Sequence, residues 1–95
     1  MEYSFESVVV EWRGPAPFYF ATVPEDLAAE IHLIAPTLTY GWGVIPATVT
    51  IGSTTITTSL FPKDGGYLVP LKDAIRKPEG IEQGATVTLV LTLGR

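Results

Sequence analysis

His32 is the only histidine of the chain, and a metal centre or a Ser–His–Asp relay would have to be built around it. No partner stands at a spacing that would complete either site, so His32 reads as a structural or surface side chain on a helix. Glu25 and Asp26 have the composition of an acid–base pair. Adjacent helical positions point apart, however, and carboxylates there complement the positive end of a helix dipole. Gly65-Gly66 lacks the Gly-Lys-Thr/Ser ending and following helix of a phosphate loop, and reads as a turn. Cysteine is absent, which excludes disulfides, thiolate chemistry and cysteine-held metals.

The remaining chemistry is aromatic and basic. Trp12, Tyr40 and Trp42 fall in or beside loops, the last two within Tyr40-Gly41-Trp42-Gly43. Two readings stand for them. They form a lid over one end of the fold, or a stacking wall for a planar ligand or a peptide, with Arg13, Lys63, Lys72 or Arg76 supplying charge for an anionic group. Glycines beside Trp42 would let the backbone approach a ligand, or would simply turn the chain. An enzyme built on Asp64 or Lys72 is a third reading; it requires a strongly perturbed group in a cleft.

Charge limits the partners. Six basic side chains stand against ten acidic ones, a net charge near −4, which opposes a phosphate-binding surface. Four of the six basic residues lie between 63 and 77, so either a local basic patch or an ordinary solvated face occupies that region. The apolar fraction is 46%, yet runs such as Val8-Val9-Val10 and Leu89-Val90-Leu91 fall far short of the roughly 20 residues of a membrane helix. The acidic, alternating start Met1-Glu2-Tyr3-Ser4-Phe5-Glu6 is unlike a secretory signal, and a cytoplasmic protein is expected.

Positioning falls to short elements in what the length of 95 residues makes a single domain. Residues 3–12 alternate, with Tyr3, Phe5, Ser7 and Val9 on one face, and Gly14-Pro15-Ala16-Pro17 breaks the strand. Phe18–Val23 is a second strand. Residues 24–35 form the main helix, with Pro24 at its first position, Leu27, Ile31 and Ile34 at helical spacing and Pro36 ending it. Thr48–Ile51 and Thr54–Thr58 flank Gly52-Ser53, a two-residue loop suited to a type II′ turn. After Lys63-Asp64-Gly65-Gly66 come a strand over 67–69, a short helix over 71–77 stopped by Gly80, and a last strand with Val87, Leu89, Leu91 and Leu93 on one face. Both halves read strand, Val-Pro, helix, strand, aligning Val23-Pro24 with Val69-Pro70. Six strands in two similar units predict a mainly β, pseudo-twofold six-stranded barrel with one main and one short helix.

Gly66-Tyr67-Leu68-Val69-Pro70 through Ile75-Arg76, then Gly80-Ile81 and Gly84 before the 86–93 strand, resembles the swapped-hairpin unit of AbrB-type transcription regulators. The resemblance implies a double-split β-barrel with both units in one chain. Ala85 stands where those regulators usually carry an acidic residue, and they bind DNA as dimers through basic residues. Over nearly its whole length the chain is more similar to a family of uncharacterised bacterial and archaeal domains. That similarity rests on Trp12-Arg13-Gly14-Pro15, Tyr19-Phe20, Gly41-Trp42-Gly43, Ile45-Pro46 and the Thr58–Lys72 stretch. The family carries a domain-of-unknown-function label and is sometimes fused to bacteriocin-protection-like domains of the YdeI/OmpD-associated type. It implies architecture and no activity.

The expected function is a non-enzymatic binding module without cofactor or metal, engaging a small molecule or protein partner through Trp12, Arg13, Tyr40, Trp42, Lys63, Lys72 and Arg76. The alternative is a nucleic-acid-binding regulator, which the acidic charge disfavours. A fused two-unit barrel closes without a partner chain, so a monomer is expected.

Overall fold

The alternation of the first strand is realised in the computed structural model, which describes residues 2–12, 18–39 and 43–94. Strand β1 (Glu2–Trp12) buries Phe5 and Val9 and leaves Val8, Val10 and Trp12 outside. It is followed by β2 (Phe18–Thr22), α1 (Glu25–Ile34), β3 (Ile45–Ile51), β4 (Thr54–Lys63), β5 (Gly66–Pro70), α2 (Asp73–Glu79) and β6 (Thr86–Leu93). The strands close an antiparallel barrel in the order β1-β2-β5-β4-β3-β6. Two strands divide their length between neighbours. β1 pairs with β6 over Glu2–Val8 and with β2 over Val9–Trp12; β4 pairs with β3 over Thr54–Leu60 and with β5 over Phe61–Lys63. At the first switch point the Ser7 hydroxyl donates to the Thr22 carbonyl (2.9 Å) and accepts from the Thr22 amide (3.0 Å), filling the gap in the ladder. Gly14-Pro15-Ala16-Pro17, read as the break between β1 and β2, lies outside the described residues.

The hairpin turns follow backbone chemistry. Gly52 has φ +59 while Ser53 stays at negative φ, as a type II′ turn requires. Asp64 (φ +50) and Gly65 (φ +80) both take positive φ, which suits the Asp-Gly pair of a type I′ turn joining β4 to β5. The helices differ from the sequence expectation at their ends. Pro24 has extended backbone (φ −57, ψ 148) and precedes the helix instead of opening it. Pro36 does not end the run. The chain tightens into a 3₁₀ turn, Ala35–Thr37, which contains it. The short helix begins and ends two residues later than expected, because Leu71 and Lys72 are still extended; it accepts Pro78 in its last turn. Gly80 at φ +61 then closes it: the Ile81 amide reaches the Arg76 carbonyl at 2.9 Å and the Gly80 amide reaches Lys77 at 3.3 Å, a Schellman ending.

Exchanging β1 with β4, β2 with β5 and β3 with β6 returns the same barrel order, so the topology is pseudo-twofold. The register corrects the sequence alignment of the halves. The Val23 amide bonds to the Tyr67 carbonyl (3.0 Å), and the Leu71 amide bonds to the Tyr19 carbonyl (2.8 Å). These two bonds are each other's counterparts, which makes Tyr19 equivalent to Tyr67 and Val23 to Leu71. The first helical residues Glu25 and Asp73 fall into the same register. The two Val-Pro pairs are therefore not equivalent. Pro24 matches Lys72, while Pro70 lies inside β5, opposite Phe20.

The core is continuous. Ile45, Val49, Leu60, Val69, Leu89 and Leu91 are fully buried inward-facing strand residues, and Ile31 of α1 and Ile75 of α2 join the same cluster. Thr58 is the one buried polar residue among those described, and its hydroxyl has no hydrogen-bond partner. A buried, unpaired hydroxyl costs about 1–3 kcal/mol. Thr58→Val keeps the shape and is expected to raise stability by about 1 kcal/mol, read as a higher urea midpoint at unchanged m-value. No helix among the described residues is long and apolar enough to cross a membrane.

Candidate functional site

Alternation along β1, β2, β5 and β4 sends one set of side chains to the core and the other to the outer face of the barrel. On that outer face the register sets Trp12 opposite Phe18, Val10 opposite Phe20, Phe20 opposite Pro70 and Phe61 opposite Leu68. The ring centroids of Trp12 and Phe18 lie 6.0 Å apart, and those of Phe18 and Phe20 lie 6.3 Å apart, both tilted. The first is a cross-strand pair, of a kind that supports a sheet by a few tenths of a kcal/mol to about 1 kcal/mol; the second lies along β2 itself. They do not account for the exposure: Trp12, Phe18 and Phe61 remain 49%, 52% and 45% accessible. A contiguous apolar patch rimmed by polar groups marks an interaction surface.

Two hollows open on this face and share Trp12, Phe20, Lys63 and Leu68. The one nearer α1, about 550 Å³, also takes in Glu11, Glu25 and Asp64. The other, about 570 Å³, is floored by Phe18, Phe20, Phe61 and Pro70 and is flanked by Lys63 and Lys72, with no carboxylate among the described residues lining it. Lys63 ends β4, and Lys72 follows β5 with its Nζ 3.5 Å from the Thr57 carbonyl. Gly43 (φ +73) backs onto Pro62, a wall of this groove; a Cβ there would meet Pro62 Cγ at 3.1 Å.

Three of the residues singled out in the sequence, Trp12, Lys63 and Lys72, thus meet in one groove. Arg76 does not line it. Its guanidinium stacks 3.9 Å from the centroid of the Tyr19 ring, its Nε donates to the Leu71 carbonyl at 3.0 Å, and it is ion-paired with Asp73. Arg76 and Tyr19 border a different hollow with Ile81 and Glu82. Glu11, paired across from Tyr19, hydrogen-bonds the phenol, and this bond with the carboxylate's charge raises the Tyr19 pKa above its ordinary value. Arg13, Tyr40 and Trp42 lie outside the described residues. Sequence reasoning missed Phe18, Phe20, Phe61 and Pro70 as groove residues. The available signal was that 8–12 and 18–22 are apolar on both faces, more than a half-buried strand needs.

His32 is exposed, with Nδ1 3.5 Å from the Tyr67 hydroxyl and its ring tilted against that of Tyr67. No group of three or more His, Cys, Asp or Glu side chains that could hold a metal occurs among the described residues. Burial raises the Tyr67 pKa above its ordinary 10.0. The folded state therefore holds the phenol proton more tightly than the unfolded state, and this contribution is present below pH 10 and lost as pH rises through the folded value. Stability is expected to fall with pH above about 10, and Tyr67→Phe to flatten that fall, measured by urea denaturation across the alkaline range.

No curated protein matches the chain. A family profile does, over residues 5–91, nearly the whole barrel. The chain belongs to the family described as the domain of unknown function DUF1905.

Proposed function

We propose that this domain is a non-enzymatic binding module whose working surface is the apolar groove on the outer face of β1, β2, β5 and β4, taking a small molecule or a protein partner. The observation that carries the reading is the meeting of Trp12, Lys63 and Lys72, from three separate stretches, in a groove with no carboxylate among the described residues lining it, on a chain of net charge −4. Neither lysine is needed to close the barrel, and half-exposed aromatics cost solubility unless they meet something. The division of β1 and β4 between neighbouring strands supports kinship with the double-split AbrB-like barrels. DNA binding does not come with it, because two groove lysines neutralise few phosphates. The barrel closes from strands of one chain, which supports a monomer; a cytoplasmic location belongs to the same proposal.

The test is affinity capture from source-cell lysate with the native domain and with a Trp12→Ala/Lys63→Ala/Lys72→Ala variant, after both are shown to fold. Proteins and small molecules retained by the native domain should be missing from the variant. Identical retention by both would remove the groove from consideration.

A further inference from the structure

We infer that the occupant of this groove is a short extended peptide segment with apolar side chains at its centre and carboxylates at both ends. The inference rests on the binding reading above and commits it to a partner chemistry. Lys63 sits opposite Gly66, at the start of β5, and Lys72 follows Pro70, at its end. Lys72 stands six positions beyond Gly66, so at about 3.3 Å per residue the two cations leave the backbone roughly 20 Å apart. The apolar floor of Phe20, Phe61, Leu68 and Pro70 lies between them. One small anion cannot meet both lysines across that span. About six residues of extended chain can, with acidic residues at the ends and aromatic or aliphatic ones over the floor.

The shape agrees with a peptide. The groove lies on the outside of a closed barrel, where a small ligand would keep one side in water, whereas small-molecule sites enclose most of their ligand. At the floor Phe20 is already paired with both Val10 and Pro70, and Leu68 with both Thr22 and Phe61, so the peptide cannot join the sheet there as an added strand, and side chains carry the recognition. A second copy of the domain is disfavoured, because face-to-face pairing would bring Lys63 and Lys72 against their own like charges.

The experiment uses the whole chain and a fluorescein-labelled heptapeptide, Asp-Asp-Phe-Leu-Leu-Asp-Asp with capped ends, followed by anisotropy at low ionic strength. Saturable binding is expected. Lys63→Ala/Lys72→Ala should weaken it about tenfold, Trp12→Ala by a similar factor, and Lys77→Ala, an exposed cation outside the groove, should leave it unchanged. The same peptide with lysines in place of its aspartates should not bind. Absence of saturable binding, equal binding of the lysine peptide, or indifference to the double lysine change would overturn the inference. So would a concentration-dependent dimer that Trp12→Ala dissolves, or tighter binding to phosphatidylglycerol vesicles than to the peptide. If 1-naphthoate binds in a Trp12- and Lys72-dependent way while the peptide does not, the peptide inference fails and the binding reading stands.

Discussion

Leu89→Ala is expected to cost the domain about 3–4 kcal/mol, the largest single effect of any substitution considered for this barrel. Leu89 is fully buried at the centre of β6, opposite Phe5 of β1, with Leu91 and Val87 on the same inward face. β6 and β3 also hold the two halves of the chain together, so a cavity here loosens both units. A chain of this length has about 5–14 kcal/mol in total. The variant should therefore melt about 15–25 °C lower. Thr88→Ala, one position away but outward and exposed, should stay within about 0.5 kcal/mol of the native domain. Equal effects at 88 and 89 would mean that β6 is misregistered, since a one-residue slip exchanges its faces.

Gly52→Ala should cost about 2 kcal/mol, from two separable causes. The positive φ of +59 disfavours any residue with a Cβ by about 1 kcal/mol. That Cβ would also stand 2.9 Å from Glu79 Cδ and closer still to its Oε1. Glu79 sits in the last turn of α2, where the helix dipole opposes a carboxylate, yet it accepts hydrogen bonds from the Thr54 and Ser53 hydroxyls and so ties the second helix to the β3–β4 turn. Alanine at 52 would push Glu79 off both partners. In a Glu79→Ala background the clash is gone, so Gly52→Ala should then cost only the backbone share, about 1 kcal/mol. A double-mutant cycle by urea denaturation measures the difference. Additivity of the two substitutions would show that Glu79 does not hold the turn.

What could be read from the residues depended on how local the cause was. Val87, Leu89, Leu91 and Leu93 alternate strictly, and Gly52 and Gly80 answer local backbone demands, so β6, the hairpin and the end of α2 follow from a few neighbouring residues. The equivalence of the two halves was legible in order but not in register. Val-Pro recurs at positions that differ in role, Pro70 within a strand and Pro24 before a helix, and only the reciprocal Val23–Tyr67 and Leu71–Tyr19 bonds fix the alignment. For the groove, Trp12, Lys63 and Lys72 stood out by type. Their meeting depends on strand order, because β5 must lie between β2 and β4 before Phe20, Pro70, Leu68 and Phe61 can form one floor. Arg76 stood out by the same signal, and its stacking on Tyr19 depends on a helix position that charge pattern does not encode.

The groove as the working surface of the domain is tested most directly by amide chemical-shift mapping of the isotopically labelled chain, titrated with 1-naphthoate and, separately, with the aspartate-flanked heptapeptide. The expected result is a set of shifts confined to Trp12, 18–20, 58–63 and 68–72, with the residues around Arg76 and Gly80–Gln83 unmoved. Shifts centred on the Tyr19–Arg76 hollow, scattered over the barrel, or absent with both probes would contradict it.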